Sequence, residues 1–198
     1  LKDGRVGKAS TNMADDEALK RCVRAAEAML EFMPEDKEQL DLPGPQEYES
    51  AREPYDDETA KTDASRRAEL LRPALARARK EGVTVAGILS NGVSAVAIAN
   101  SRGLFGYHRR TEASYSLTVM TDDSAGWAQE ERPDIGGIDF DGVVERAFEK
   151  ALKGRSPQMI EPGEYDVVLE PAAVGELVLF LGWVGFGGLA FVEGRSFM

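Results

Sequence analysis

Val83 to Tyr107 reads VTVAGILSNGVSAVAIANSRGLFGY, and this stretch decides the fold. β-branched and small apolar residues fill two runs, with turn signals at Asn91-Gly92 and at Asn100-Ser101-Arg102-Gly103. Such runs suit a pleated sheet, and such dipeptides suit its turns. The series continues in ASYSLTVMT (Ala113 to Thr121) and AGWAQEER (Ala125 to Arg132), so an antiparallel meander is expected. Then comes DFDGVVERAFEKALKG, residues 139–154. Val143, Val144, Ala147, Phe148, Ala151 and Leu152 share one helical face there, with an Asp before it and Gly154 after it.

Upstream, a helix is expected at Ser65–Lys80, stopped by Gly82. Pro34 to Ala64 is polar, acidic and without a period, and reads as a surface connector. An earlier helix is expected at Asp15–Met33. Leu19, Cys22, Val23, Ala26, Met29, Leu30 and Met33 form its apolar face, and Asp15 and Asp16 suit its N-terminus. DGRVGKAST (Asp3 to Thr11) reads as half of a hairpin whose other strand would precede Leu1. Downstream, Pro162-Gly163 makes a turn, and YDVVLEP (Tyr165 to Pro171) reads as a short buried strand.

The chain of 198 residues fits one domain or two small ones. Its formal net charge of −11 argues against nucleic acid and against an anionic membrane surface as partners. Cys22 is the single cysteine, so no intrachain disulfide forms. No secretory signal opens the chain, which begins on Leu1, as a fragment or processed product would.

VGELVLFLGWVGFGGLAFVEGRSFM (Val174 to Met198) is the most apolar stretch. A membrane anchor, a buried helix and a truncated domain are the alternatives. A span needs about 20 apolar residues, and this run is shorter and broken by Gly182, Gly185, Gly187 and Gly188. A buried helix from Val174 to Leu181, a glycine turn and a strand at Leu189–Val192 are therefore expected.

Residue chemistry alone points to no catalytic centre. His108, the single histidine, sits beside Arg109 and Arg110 and reads as an exposed strand residue. Cys22 reads as a small buried hydrophobe. Asp134, Asp139 and Asp141 do not have EF-hand spacing and read as helix caps. Asp56, Asp57 and Glu58 read as a solvated loop. Asn100, Ser101 and Gly103 are the candidate substrate-binding or interface turn, with a plain hairpin turn as the other reading.

DGRVGKASTN before a helix, VAIANSRG (Val96 to Gly103) before an alternating strand, and PGEYDVVLEPAAVGELV (Pro162 to Val178) occur in that order. In these stretches the chain resembles the TldD/PmbA family, whose members are described as modulators of DNA gyrase and as metallopeptidases. The resemblance implies three parts. Residues 1–50 would be the end of a first region, 51–157 a middle α+β region, and 158–198 the opening of a third. The fold would be α+β, an antiparallel sheet flanked by helices, cut off at the start of a further β-rich domain.

In the family's TldD-type subunit, a HExxxH motif follows the VVLEP strand on the next helix. Its histidines, roughly one and a half turns apart, hold a metal, and its glutamate serves as general base on bound water. The matching positions here are Leu179, Phe180 and Val184, and no histidine lies in the stretch. The likeness is thus to the PmbA (TldE-type) branch. It implies no cofactor in this chain and zinc on a TldD-like partner. It further implies dimerisation with that partner or with itself, peptide substrates, and a cytoplasmic setting. The role implied is substrate handling in a proteolytic pair. The alternatives are a non-enzymatic regulator and a homodimeric peptidase with its ligands elsewhere.

Overall fold

The computed structural model describes residues 2–37, 39–48 and 54–198. They form two compact units, Leu1–Ser156 and Pro157–Met198. The class is α+β, with an antiparallel sheet flanked by helices.

The sheet has three strands, β1 (Thr84–Ala99), β2 (Phe105–Met120) and β3 (Ala125–Arg132), in that spatial order. β1 and β2 pair along their whole length, from Thr84↔Met120 to Ala99↔Phe105. β3 pairs only with the half of β2 from Ala113 to Met120. The meander expected from sequence is therefore present, with one correction. Asn91-Gly92 is not a turn, because β1 runs straight through it, with Asn91 opposite Ala113 and Gly92 opposite Glu112. The local turn preference loses to a full ladder and to tertiary partners for the Asn91 side chain.

Alternation decides what the sheet buries. Leu89, Ala113, Tyr115, Leu117 and Val119 lie on one face and are buried with Ala128. α4 (Phe140–Lys153) covers them with Val143, Val144, Ala147, Phe148 and Ala151. Asp139 caps α4 by accepting from Gly142 N–H at 2.9 Å. Val143 and Phe148 are fully buried, and each such burial stabilises by roughly 1.5–3 kcal/mol. β3 approaches α4 so closely that a Cβ on Gly126 would run into the backbone oxygen of Ala147. α3 (Ala64–Glu81) adds Ala74 and Ala78 to the same core and ends at Gly82. Arg77 ties α3 to α4, with its guanidinium 4.3 Å from the Phe148 ring centre and a 2.6 Å contact to Glu145.

The acidic connector contains an element not expected from sequence, the short helix α2 (Asp57–Lys61). Asp56 is its N-cap, so Asp56, Asp57 and Glu58 open a helix rather than a loop. The first helix, α1 (Asp16–Met29), continues as a 3-10 turn over Leu30–Phe32. Its expected apolar stripe is not buried. Leu19, Val23 and Met29 are exposed, Ala18 is buried, and Cys22, Ala26 and Leu30 are half-buried. Gly7 lies against the backbone oxygen of Ala26, too close for a side chain to intervene. Near the N-terminus, Lys2 and Arg5 form one bridge around the left-handed Asp3 and Gly4.

In the second unit YDVVLEP is not a strand. Val167 and Val168 are exposed, and among the described residues no strand pairs with them. A strand needs a neighbour for its backbone groups. α5 (Pro171–Gly185) and α6 (Gly188–Val192) follow, so Leu189–Val192 is helical rather than extended. Leu177, Val178, Leu179 and Phe180 are exposed, which corrects the expected buried helix. Apart from Glu176, α5 is apolar, and only Gly182 and Gly185 on it are less than exposed.

Candidate functional site

The tip of the β1–β2 hairpin is built on Asn100. Its N–H donates to Leu104 O at 3.1 Å, and its carbonyl accepts from Gly103 N–H at 3.2 Å. Its Oδ1 accepts from Arg102 N–H and Leu104 N–H, while Nδ2 donates to Pro43 O at 2.9 Å. Gly103 takes φ +87°, which a side chain would strain. Ser101 and Gly103 are exposed on the loop. The structure thus places the three candidate residues together in one turn, with the polar atoms of Asn100 engaged in holding it.

An acidic strap runs beside this tip. Asp41 lies 3.3 Å from Arg102, Pro43 takes the Asn100 amide, and Pro45 and Tyr48 lie against Gly103 and Gly106. Past the strap, the Arg109 guanidinium sits 4.1 Å from the Tyr55 ring centre, and Thr111 N–H donates to Pro54 O at 2.9 Å. The chain thus meets β2 again at Thr111, just beyond the end of β3.

Two buried threonines fasten that junction. Thr111 Oγ1 donates to Pro133 O at 2.6 Å and accepts from Asp56 N–H at 2.9 Å. Thr59 Oγ1 accepts from Ile135 N–H at 2.7 Å. Both are buried to 1% exposure or less, so each unmade bond would carry a desolvation cost. The Thr59 backbone N–H, then its hydroxyl, hold the Asp56 carboxyl below its usual range. Asn91 completes the fastening. Its Nδ2 donates to Thr59 O and Thr62 O, and its Oδ1 accepts from Arg67 at 2.6 Å. Sequence reading missed this junction, although Asp56 followed by Thr59 is a capping spacing. Over it opens a shallow cleft of about 630 Å³, bordered by Ser90, Arg110, Glu112 and Glu131.

The remaining candidates lie apart. His108 is exposed on β2 opposite Val96, as expected. Asp139 caps α4, whereas Asp134 makes no capping bond. Leu179, Phe180 and Val184 lie on α5 and are exposed hydrocarbon, with Phe180 and Val184 one turn apart. Among the described residues, no three His, Cys, Asp or Glu side chains converge as metal ligands. Among the same residues, no helix is long and apolar enough to cross a membrane.

These features define an α+β domain with one long antiparallel hairpin, a covering helix and a strapped tip. Residues 52–155 match the family model described as PmbA/TldA metallopeptidase central domain, and the chain belongs to that TldD/PmbA family. No curated protein matches it. Solved structures share the fold. TldE from Thermococcus kodakarensis is 24% identical with a TM-score of 0.67, over 77% of this chain and 36% of that one. A proposed modulator of a DNA gyrase from Thermotoga maritima is 21% identical with a TM-score of 0.69, over 82% and 38%. Another, from Bacteroides thetaiotaomicron, is 18% identical with a TM-score of 0.82, over 98% and 47%. The chain thus spans less than half the length of each solved structure that it resembles.

Proposed function

We propose that this chain is the TldE-like, substrate-handling component of a TldD/PmbA-type metallopeptidase acting on peptides or unfolded polypeptides. One observation carries the reading. Where the family resemblance places a HExxxH motif, α5 presents Leu179, Phe180 and Val184. Hydrocarbon can neither ligate a metal nor take a proton from bound water. Hydrolysis would then occur at zinc held by a TldD-like partner in the cytoplasm, and this chain would hold substrate. The turn at Asn100, Ser101 and Gly103 would serve that task by fixing the end of a long hairpin.

Reconstitution tests this. The full-length chain is assayed alone, and then mixed with a HExxxH-bearing relative, for cleavage of an unfolded casein substrate. Cleavage only in the mixture is the expected result, and cleavage by the chain alone contradicts it. A second reading, a regulator of DNA gyrase, is favoured by the names of two of the solved structures. It requires that the chain alone alter gyrase supercoiling at stoichiometric ratio.

A further inference from the structure

The two edges of the sheet are protected very differently. β3 is short and ends in Glu130, Glu131 and Arg132, and Lys150 Nζ donates to its Trp127 carbonyl at 2.9 Å. β1 is twice as long and contains neither proline nor charge from Thr84 to Ala99. Free edges normally carry charge, proline or a bulge against unwanted pairing. β1 carries none of these and pairs without interruption.

Register tells which backbone groups are free. Thr111 donates its N–H away from β1, to Pro54, and it stands opposite Val93. In an antiparallel ladder both members of such a pair point away from each other. Val93, Ala95 and Ala97 therefore aim N–H and C=O at the open side of β1. The Asn100–Leu104 bond at the turn fixes the same parity. Among the described residues no strand pairs with this edge. Residues 95–99 are exposed on both faces, with Val96 at 56% and Ile98 at 62%.

Only an extended backbone matches a row of alternating donors and acceptors. Charge selects its side chains. From Thr84 to Thr111 the charged residues are Arg102, Arg109 and Arg110, within a chain of net charge −11. The ion pairs Arg102–Asp41 and Arg110–Glu112 are exposed, so each is weak and yields to a competitor. A second copy of the hairpin would bring its own Arg102, Arg109 and Arg110 alongside, whereas an acidic or neutral strand would not.

We propose that the open edge of β1, from Val93 to Ala97, is a strand-addition site for an extended polypeptide segment with neutral or acidic side chains. The inference rests on the substrate-handling reading and gives it a location. The probe is a fluorescein-labelled octapeptide alternating valine with threonine around one glutamate, followed by anisotropy with the full-length chain. Ala95→Pro removes one outward N–H and leaves the β1–β2 bonds intact. Saturable binding is expected, weakened about tenfold or more by Ala95→Pro or by N-methylation of alternate peptide amides. Should Ala95→Pro misfold, the N-methyl peptide and hydrogen exchange on the unmodified chain decide. The Ala95 and Ala97 amides must gain protection with the octapeptide. Equal binding of both peptides, no binding, or protection elsewhere overturns the proposal. A concentration-dependent dimer protecting these amides without peptide makes a second copy the occupant and also overturns it. Reconstituted cleavage without edge binding sinks this inference alone. Edge binding by a chain that cleaves unaided sinks the subunit reading alone.

Discussion

The base and the tip of the hairpin belong to one ladder but live in different surroundings. At the base, Leu89, Tyr115, Leu117 and Val119 lie under α4 and are buried. At the tip, Val93, Phe105 and Tyr107 continue the same alternation on the same face and are exposed. Strand pattern is shared, and helix coverage is what differs. The base therefore holds the fold by burial, while the tip is held by its ladder, the Asn100 turn and the strap. Apolar residues kept exposed on a rigid frame are available to another chain.

The largest expected effect separates the two ends. Phe148→Ala at the base costs about 3–5 kcal/mol in chemical denaturation, whereas Phe105→Ala at the tip costs less than about 0.5 kcal/mol. Equal costs would abolish the distinction. Next, Gly126→Ala pushes β3 from α4 and costs about 1–3 kcal/mol, read from the same denaturation midpoint. Thr111→Val leaves the Asp56 N–H and the Pro133 carbonyl without their hydroxyl partner, and costs about 1–3 kcal/mol. If instead it proves neutral, the junction between base and tip is not a fastening.

Tyr115 gives the smallest effect and the finest test. Its hydroxyl is buried without a hydrogen-bond partner among the described residues, and burial pushes its pKa up to about 12. Folding therefore favours the protonated phenol. That contribution is complete below the ordinary value of about 10 and is lost as pH rises through about 12. Tyr115→Phe should be neutral or slightly stabilising at pH 7 and should lose this alkaline decline. An unchanged decline, followed by thermal melting across that pH range, would assign it to another group.

Much of the base was legible in the sequence because its signals are local and mutually consistent. The face of Val143, Val144, Ala147, Phe148 and Ala151, with Asp139 before it, specifies α4 without reference to the rest. Asn91-Gly92 misleads because its turn preference is local, while Thr59, Thr62 and Arg67 supply partners from outside the strand. α2 escapes notice because five residues cannot display a helical period. YDVVLEP has strand composition, but pairing is a property of neighbours. The Asn100 turn could be read from residue types. The parity that leaves Val93, Ala95 and Ala97 facing outward could not, since it depends on register.

The central claim is that this chain lends its pair a binding surface and not a metal. Zinc stoichiometry of the full-length, untagged chain, purified alone and measured by mass spectrometry, tests it most directly. The account predicts no bound zinc from a chain that becomes active on mixing with a HExxxH-bearing relative. About one zinc per chain, removed by chelator together with cleavage activity, would make this chain a peptidase in its own right and contradict the account.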